Sequence, residues 1–416
     1  MKVFKFGGAS VKDAPAIKNL AAILSQYSGQ ELIIVISAMG KTTNKLEEII
    51  NTFNIGDTNY SQLVETLKNQ HLNIIKALGL KALTHLNIEV DSLFDQLASQ
   101  LELLSANKFQ QYDAVVSIGE LLSTKIIANY LTHEGYDTQW VDARQLIKTN
   151  DAFTEAKIDW PLTQHLMRQQ FIENGSYWPV TQGFIGSTID GKTVTLGREG
   201  SDFTAAVIAH CIDASEVVIW KDVPGILNAD PKRIVDAQLI DQMSYEEAGE
   251  MTYYGAKVIH PKTMRPLAHK SIPLRVRSFE DTSLIGTIIS AEKSQTPYSS
   301  VIFNTEQLLI SFRQREFTFM DEKTLGIIFH SLDKLNVKIN LMQNSATTFS
   351  ICMDYNKYKL KKLFDALSNQ FEIQYNEGLV LLTLNNYDQM TIDRLIVDKE
   401  LILEQKSRKT AHFVYR

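Results

Sequence analysis

Short apolar runs alternate with amphipathic stretches over the first two thirds of the chain. Val3–Phe6, Leu32–Ser37, Val115–Ile118, Gln139–Asp142, Tyr177–Gly183, Val217–Trp220 and Leu274–Val276 are rich in β-branched and aromatic residues and end near Gly, Ser or Asp. Continuous apolar runs of this kind suit strands buried on both faces. Between them Ile17, Leu20, Leu24 and Tyr27 recur at helical spacing. So do Leu121, Ile126, Ile127, Tyr130 and Leu131, and then Phe203, Val207 and Cys211. The alternation predicts an α/β domain around a mainly parallel sheet.

Two stretches depart from it. Residues 44–107 keep helical periodicity with little strand signal, and Leu93, Leu97, Leu101 and Leu104 make one apolar stripe. This reads as a helical insertion packed on the sheet, since a coiled coil needs a longer heptad run. Near Ser290–Ser300 the chain turns polar and is broken by Pro297, which predicts a linker over 291–304. Beyond it come a strand (Leu308–Phe312), a helix face (Leu325, Ile328, Phe329, Leu332, Leu335) and strands at Val337–Met342 and Phe349–Met353. A second helix (Tyr358, Leu363, Phe364, Leu367) and strands at Leu379–Leu384 and Ala411–Tyr415 follow. The plan is therefore a domain over 1–290, a linker, and a small α+β module, or two interleaved, over 305–416.

Composition narrows the partners. The 416 residues are 44% hydrophobic and 22% charged, enough to bury real cores. Lys+Arg number 42 against 48 Asp+Glu, a net charge of −6, so nothing draws the chain to nucleic acid or an acidic membrane surface. No uninterrupted apolar run reaches the roughly 18–20 residues that span a bilayer. Cys211 and Cys352 stand far apart in apolar contexts, which speaks against a disulfide framework or a thiolate metal cage. A reducing, cytoplasmic setting is expected.

Several loops could carry chemistry. Lys5–Ser10 (K-F-G-G-A-S) runs from a strand through two glycines into a helix, which lets backbone N–H groups approach an anion. A tight turn beside a surface lysine is the plain alternative, and G-x-x-x-x-G-K-[ST] is absent. Ser37–Asn44 (S-A-M-G-K-T-T-N) is a second small-residue loop at a strand end, although Thr43 or Asn44 could simply cap a helix. Glu120, read as lying just after a strand and at a helix start, is either a dipole-stabilised carboxylate or a partner for a substrate ammonium group. Leu196–Ala205 (L-G-R-E-G-S-D-F-T-A) holds Arg198, suited to gripping a carboxylate, and Asp202, suited to orienting lysines or a hydrated magnesium ion. Lys221, Lys232 and Lys257 sit in turn-rich segments fit for a nucleotide's phosphates and ribose, or for plain solvent.

Taken together, Lys5–Val11, Ser37–Asn44, Gly119–Ser123, Gly197–Asp202, Trp220–Lys232, Gly255–Pro261 and Ile272–Arg277 resemble, in order and spacing, the motifs of aspartate kinases in the amino acid kinase family. The tail from about Leu308 resembles that family's ACT-type regulatory region. The resemblance implies a three-layer αβα kinase domain and transfer of the γ-phosphoryl of Mg-ATP to the side chain of L-aspartate. By resemblance Lys5 meets the transferring phosphoryl group with Gly7, Gly8 and Ser10 beside it, and Asp202 organises Lys5 and Lys257. Glu120 receives the α-ammonium and Arg198 a substrate carboxylate, while Ser37, Thr43 and Ser201 supply hydrogen bonds. Lys221, Asp222, Leu227, Lys232, Lys257 and Val258 line the nucleotide pocket.

Ala9, Glu199, Lys221 and Leu227 depart from the residues common in the family. In the tail, Met320, Leu325, Val337, Ile339, Asn340 and Ser345 match segments that bind lysine or threonine between paired ACT modules, which implies a homodimer or higher oligomer. Lys323 and Ala346 depart there, the latter removing an acid, and the second ACT unit looks reduced. Two rivals stand beside this reading. One is an amino acid kinase with another acceptor, such as glutamate or N-acetylglutamate; the other is a non-catalytic amino-acid sensor.

Overall fold

The computed structural model describes every residue except 104–105, 174–176, 257–258, 294–297 and 317. It divides into two compact units. The first holds Met1–Ile226, Leu239–Gly249 and Ile259–Ser294; the second holds Leu227–Gln238, Glu250–Val258 and Gln295–Arg416.

In the first unit β1 (Lys2–Phe6), α1 (Ala14–Ser25) and β2 (Leu32–Ile36) open the chain, followed by α2 (Thr42–Asn54), α3 (Tyr60–Ala77) and α4 (Thr84–Leu103). These last three are the expected helical insertion, although Leu104 of its stripe lies outside the described residues. Next come α5 (Lys108–His133), β3 (Thr138–Val141), α6 (Ala143–Leu146), β4 (Lys148–Thr149), α7 (Trp160–Arg168), β5 (Trp178–Gln182), β6 (Ile185–Thr188) and β7 (Thr193–Thr195). The series continues through α8 (Gly200–Ile212), β8 (Glu216–Lys221), β9 (Gln242–Ser244), α9 (Tyr245–Tyr253, which passes into the second unit at Glu250), α10 (Pro261–His269), β10 (Leu274–Ser278) and β11 (Thr287–Ser290).

Among the described residues the main sheet runs β3-β5-β2-β1-β8-β10-β11-β9, and only the β10–β11 pair is antiparallel. Every residue of β2 is buried, as an apolar strand covered on both faces requires. In the register, Phe6 pairs with both Ile36 and Trp220. The loops that follow β1, β2 and β8 therefore leave one edge of the sheet side by side. Ligands in open α/β sheets gather beyond such carboxyl ends.

One expected strand is not a strand. Val115–Ile118 lies inside α5, a 26-residue helix capped by Asn107, whose side chain accepts from the Gln110 N–H. A short β-branched apolar run looks the same in a buried strand and in a helix buried on nearly every side. This helix is long and apolar enough to cross a membrane, but it is packed inside the unit as a core helix and carries the buried acids Asp113 and Glu120.

The second unit is built on two 15-residue strands, β12 (Ser300–Gln314) and β15 (Phe371–Asn385), paired antiparallel through a bulge near Gln307. With β13 (Leu341–Asn344), β14 (Thr348–Asp354), β16 (Leu401–Lys406) and β17 (Thr410–Tyr415), the sheet order is β13-β14-β12-β15-β17-β16. Helices α11 (Glu322–Lys334) and α12 (Lys357–Leu367) cover a core at one end of the sheet, around Ile328, Leu363 and Phe312. At the other end α13 (Gln389–Ile396), only eight residues long, covers a separate core around Leu382, Ile392 and Phe413. The two long strands thus carry a helix-covered core at each end and a third apolar cluster around Leu309, Leu379 and Val414.

Three boundaries differ from expectation. Residues 227–238 belong to the second unit: Ala229 is buried in its second core, and the Asn228 carbonyl accepts from the Val301 N–H at 2.8 Å. A segment from earlier in the chain thus helps to fill the core beneath α13. The proposed linker ends sooner, because β12 starts at Ser300, and residues 294–297 within it lie outside the described residues. Val337–Met342 is strand only from Leu341, because the Val337 N–H is spent on the Leu332 carbonyl as the chain leaves α11.

Candidate active site

The loops after β1, β2 and β8, with the segment 195–202 at the start of α8, enclose a cleft of about 1280 Å³. Its floor is glycine by necessity. A Cβ on Gly8 would lie 2.8 Å from the Ala38 carbonyl and 2.9 Å from that of Gly40, so no side chain fits where the first two loops meet. The Gly40 N–H donates to the Gly8 carbonyl at 2.9 Å and ties them together. The Ser10 hydroxyl, buried, donates to the Trp220 carbonyl at 3.4 Å and links the first loop to β8.

At the centre lies a charge triad. Lys5 Nζ stands 2.5 Å from Asp202 Oδ1, and Lys221 Nζ stands 3.6 Å from Asp202 Oδ2. Burial alone would raise the Asp202 carboxyl, but the two ammonium groups hold it below its ordinary range. One buried carboxylate thus fixes two cations at the mouth of the glycine loop, an arrangement suited to a polyanion such as a nucleotide phosphate tail. Lys221, a departure from the usual family residue, is accounted for by this pairing.

Glu120 faces the same cleft from the middle of α5, not from a helix start. The helix dipole therefore does not account for it. It is buried, and Oε2 has no partner among the described residues. Burial pushes its carboxyl up to about 8, opposed by Lys5 and the Ala38 N–H. An unpaired buried acid costs stability, so its place beside a cleft points to a cationic ligand group. Gly119 makes this possible, since a Cβ there would press within 2.9 Å of the Thr42 methyl.

Arg198 is exposed at the cleft wall with no protein partner among the described residues. Ser37, Thr43 and Ser201 also line the cleft. Thr43 lies within the first turn of α2, whose start is Thr42, so it is not the helix cap. Ser201 nests against Gly183, where a Cβ would come within 2.5 Å. Glu199 adopts a left-handed conformation (φ 52°) that glycine would take without strain, and its carboxylate accepts from the His260 N–H at 3.1 Å. Gly7, Gly8 and Asp222 line the cleft too. Leu227 and Lys232 belong to the second unit, and Lys257 and Val258 lie outside the described residues.

The wall residues that carried no sequence expectation include Thr154, Phe184 and Thr195, with the acid Asp113 behind two of them. Phe184 follows Gly183 at a strand end, a signal like those used for the other loops. Asp113 gave no signal, because a lone acid two residues before an apolar run that reads as a strand looks like ordinary loop polarity.

The matched segments of the second unit look different. Met320, Leu325, Val337 and Ile339 pack into its first core. Asn340 Nδ2 donates to Gln307 Oε1 at 2.9 Å and to Asp354 Oδ1 at 2.8 Å, and the Ser345 hydroxyl closes a turn onto the Thr348 carbonyl.

Comparison with known proteins agrees with this geometry. A sequence model of the amino acid kinase family matches residues 1–278. The lysine-sensitive aspartokinase 3 of Escherichia coli strain K12 is 30% identical over 396 residues, covering 93% of this chain and 87% of that protein. The chain belongs to the amino acid kinase family, and within it to the aspartokinases. The chloroplastic aspartokinase 3 of Arabidopsis thaliana is 29% identical over 424 residues, 98% of this chain and 74% of that one. Among solved structures, E. coli aspartokinase III in complex with aspartate and ADP (R-state) superposes with a TM-score of 0.84 at 28% identity, covering 100% of this chain and 96% of the other. The same enzyme in complex with lysine and aspartate (T-state) gives 0.83 at 28% identity, covering 100% and 95%. The aspartokinase likeness thus runs through the tail as well as the kinase domain.

Proposed function

We propose that this aspartokinase transfers the γ-phosphoryl of Mg-ATP to the side-chain carboxylate of L-aspartate, giving 4-phospho-L-aspartate. The observation that carries the reading is Glu120, a buried carboxylate whose Oε2 has no partner among the described residues and which faces the cleft that also holds the Lys5–Asp202–Lys221 triad. A free α-ammonium group satisfies it. An acylated amino group, as in N-acetylglutamate, gains nothing from it.

The nucleophile is a carboxylate already ionised at neutral pH, so the reaction needs no general base. Catalysis rests on positioning and on charge neutralisation at the transferring group. Lys5 supplies the charge, Asp202 keeps its ammonium in place, and the amides of Gly7 and Gly8 border the same site. Lys221 and Asp222 belong to the nucleotide side of the cleft, with Leu227, Lys232, Lys257 and Val258 assigned there by resemblance alone. Arg198 takes a substrate carboxylate, and Ser37, Thr43 and Ser201 hydrogen-bond around it. Magnesium enters with the nucleotide as part of the substrate.

For the second unit we assign pairing with another copy and binding of an amino-acid effector, lysine or threonine, to the segments around Met320 and 337–345. Edge strand β13, with Met342 half exposed, supports the pairing.

ATP-dependent hydroxamate formation with L-aspartate, L-glutamate and N-acetyl-L-glutamate tests the reaction. Turnover with aspartate alone, lost by roughly 100-fold or more in Lys5→Ala, is expected. Folded protein inactive with every acceptor would leave the amino-acid sensor instead.

A further inference from the structure

Asp113 is fully buried, meets no cation among the described residues, and spends its carboxylate on one task. Oδ2 accepts from the Thr154 N–H at 2.8 Å and the Thr195 N–H at 2.9 Å, and Oδ1 accepts from the Thr195 hydroxyl at 2.7 Å. Both threonines line the cleft, and Thr195 lies three residues before Arg198.

The loop it holds would not hold itself. Thr154 has φ 71°, a left-handed conformation that is a real outlier for a β-branched residue and persists only where its surroundings impose it. Gly197, at φ 77°, packs against the Thr154 carbonyl, where a Cβ would come within 3.2 Å. From the other side Lys262 Nζ, on α10, donates to the Leu196 carbonyl at 2.6 Å. Residues 195–197 are therefore gripped from α5 and from α10 immediately before Arg198, whose own side chain has no partner among the described residues.

Asp113 and Glu120 are seven residues apart on α5. Two turns of helix place them on one face, about 10 Å apart along a rigid axis. We infer that Asp113 is a positioning residue for the amino-acid substrate: it locks the Arg198 loop to the same helix that carries Glu120, and so sets the distance between the carboxylate and ammonium subsites. The inference rests on Glu120 and Arg198 binding the two ends of the substrate. A misplacement of about 1 Å in such a site costs up to roughly 100-fold.

The test compares KM for aspartate with KM for Mg-ATP in Asp113→Ala, Asp113→Asn, Thr195→Val and Arg198→Ala. Asp113→Ala should raise the aspartate KM roughly tenfold or more and leave the ATP KM within about twofold. Asp113→Asn should restore the wild-type values, because one amide oxygen can accept both N–H groups while its NH₂ donates to the Thr195 hydroxyl. Thr195→Val removes a single bond from a side chain of nearly the same shape, and carries the test if Asp113→Ala does not fold; it should move the aspartate KM the same way, by about threefold. Folded Asp113→Ala or Thr195→Val with an unchanged aspartate KM, or with both KM values rising together, would overturn the positioning role. An unchanged aspartate KM in Arg198→Ala would instead overturn the substrate assignment on which it rests.

Discussion

The cleft of the first unit and the effector-matching segment of the second carry the same kind of resemblance, yet their polar groups are in opposite states. In the cleft, among the described residues, Glu120 Oε2 is buried without a partner and the exposed Arg198 side chain has none either. In the second unit, the Asn340 amide donates to its own sheet, to Gln307 and Asp354, and of the six matched residues Met320 is core while Leu325, Val337 and Ile339 pack half-buried against it. Proteins pair nearly all their buried polar groups, so an exception beside a cavity marks a place kept for a ligand. A satisfied group marks structure first. The first unit is thus built around something absent from the chain, whereas the second has already spent part of what an effector would use.

The sharpest way to break this contrast is Glu120→Gln. If Oε2 waits for an ammonium group, losing the charge removes a charge-assisted bond worth about 1.5–3 kcal/mol, and the aspartate KM should rise roughly 10- to 100-fold. The melting temperature should hold or rise, since an uncompensated buried acid is gone. A fall in stability with KM unchanged would make Glu120 an ordinary core residue.

The pH dependence follows from the same group. Burial holds the Glu120 carboxyl protonated until about pH 8 in the empty cleft, and only the ionised form pairs with an ammonium group. The aspartate KM should therefore fall as pH rises from about 6.5 toward 8.5, with the slope absent in Glu120→Gln. A flat profile in the wild type would remove the carboxylate from the binding step.

Asn340→Ala probes the other region and should do least. It leaves Asp354 and Gln307 short of a donor in a half-buried cluster, at a cost of about 1–2 kcal/mol, seen as a drop of a few degrees in the melting of the second unit. No loss of stability would mean that Asn340 is free for a ligand after all, and the two regions would be alike.

The periodicity of the chain determined a good deal. Apolar runs such as Leu32–Ile36 can only be satisfied by a covered sheet, and the Gly7–Gly8 and Ser37–Gly40 loops could be placed at strand ends because glycine and hydroxyl residues leave a local signature. The order of these loops carried the family, and with it Lys5, Glu120, Arg198 and Asp202. Tertiary structure decided what local signals cannot encode. Val115–Ile118 became helix because burial on nearly every side erases the difference between the two periods. Residues 227–238 joined the second unit because Ala229, Ile234 and Ala237 pack with Leu382, Ile392 and Phe413, contacts visible only once the core is assembled. Lys221 and Asp113 acquired their partners across gaps of 19 to 82 residues, Asp202 for the first and Thr154 and Thr195 for the second. A buried charge is defined by what surrounds it, and the surroundings come from chain segments that sequence spacing does not relate.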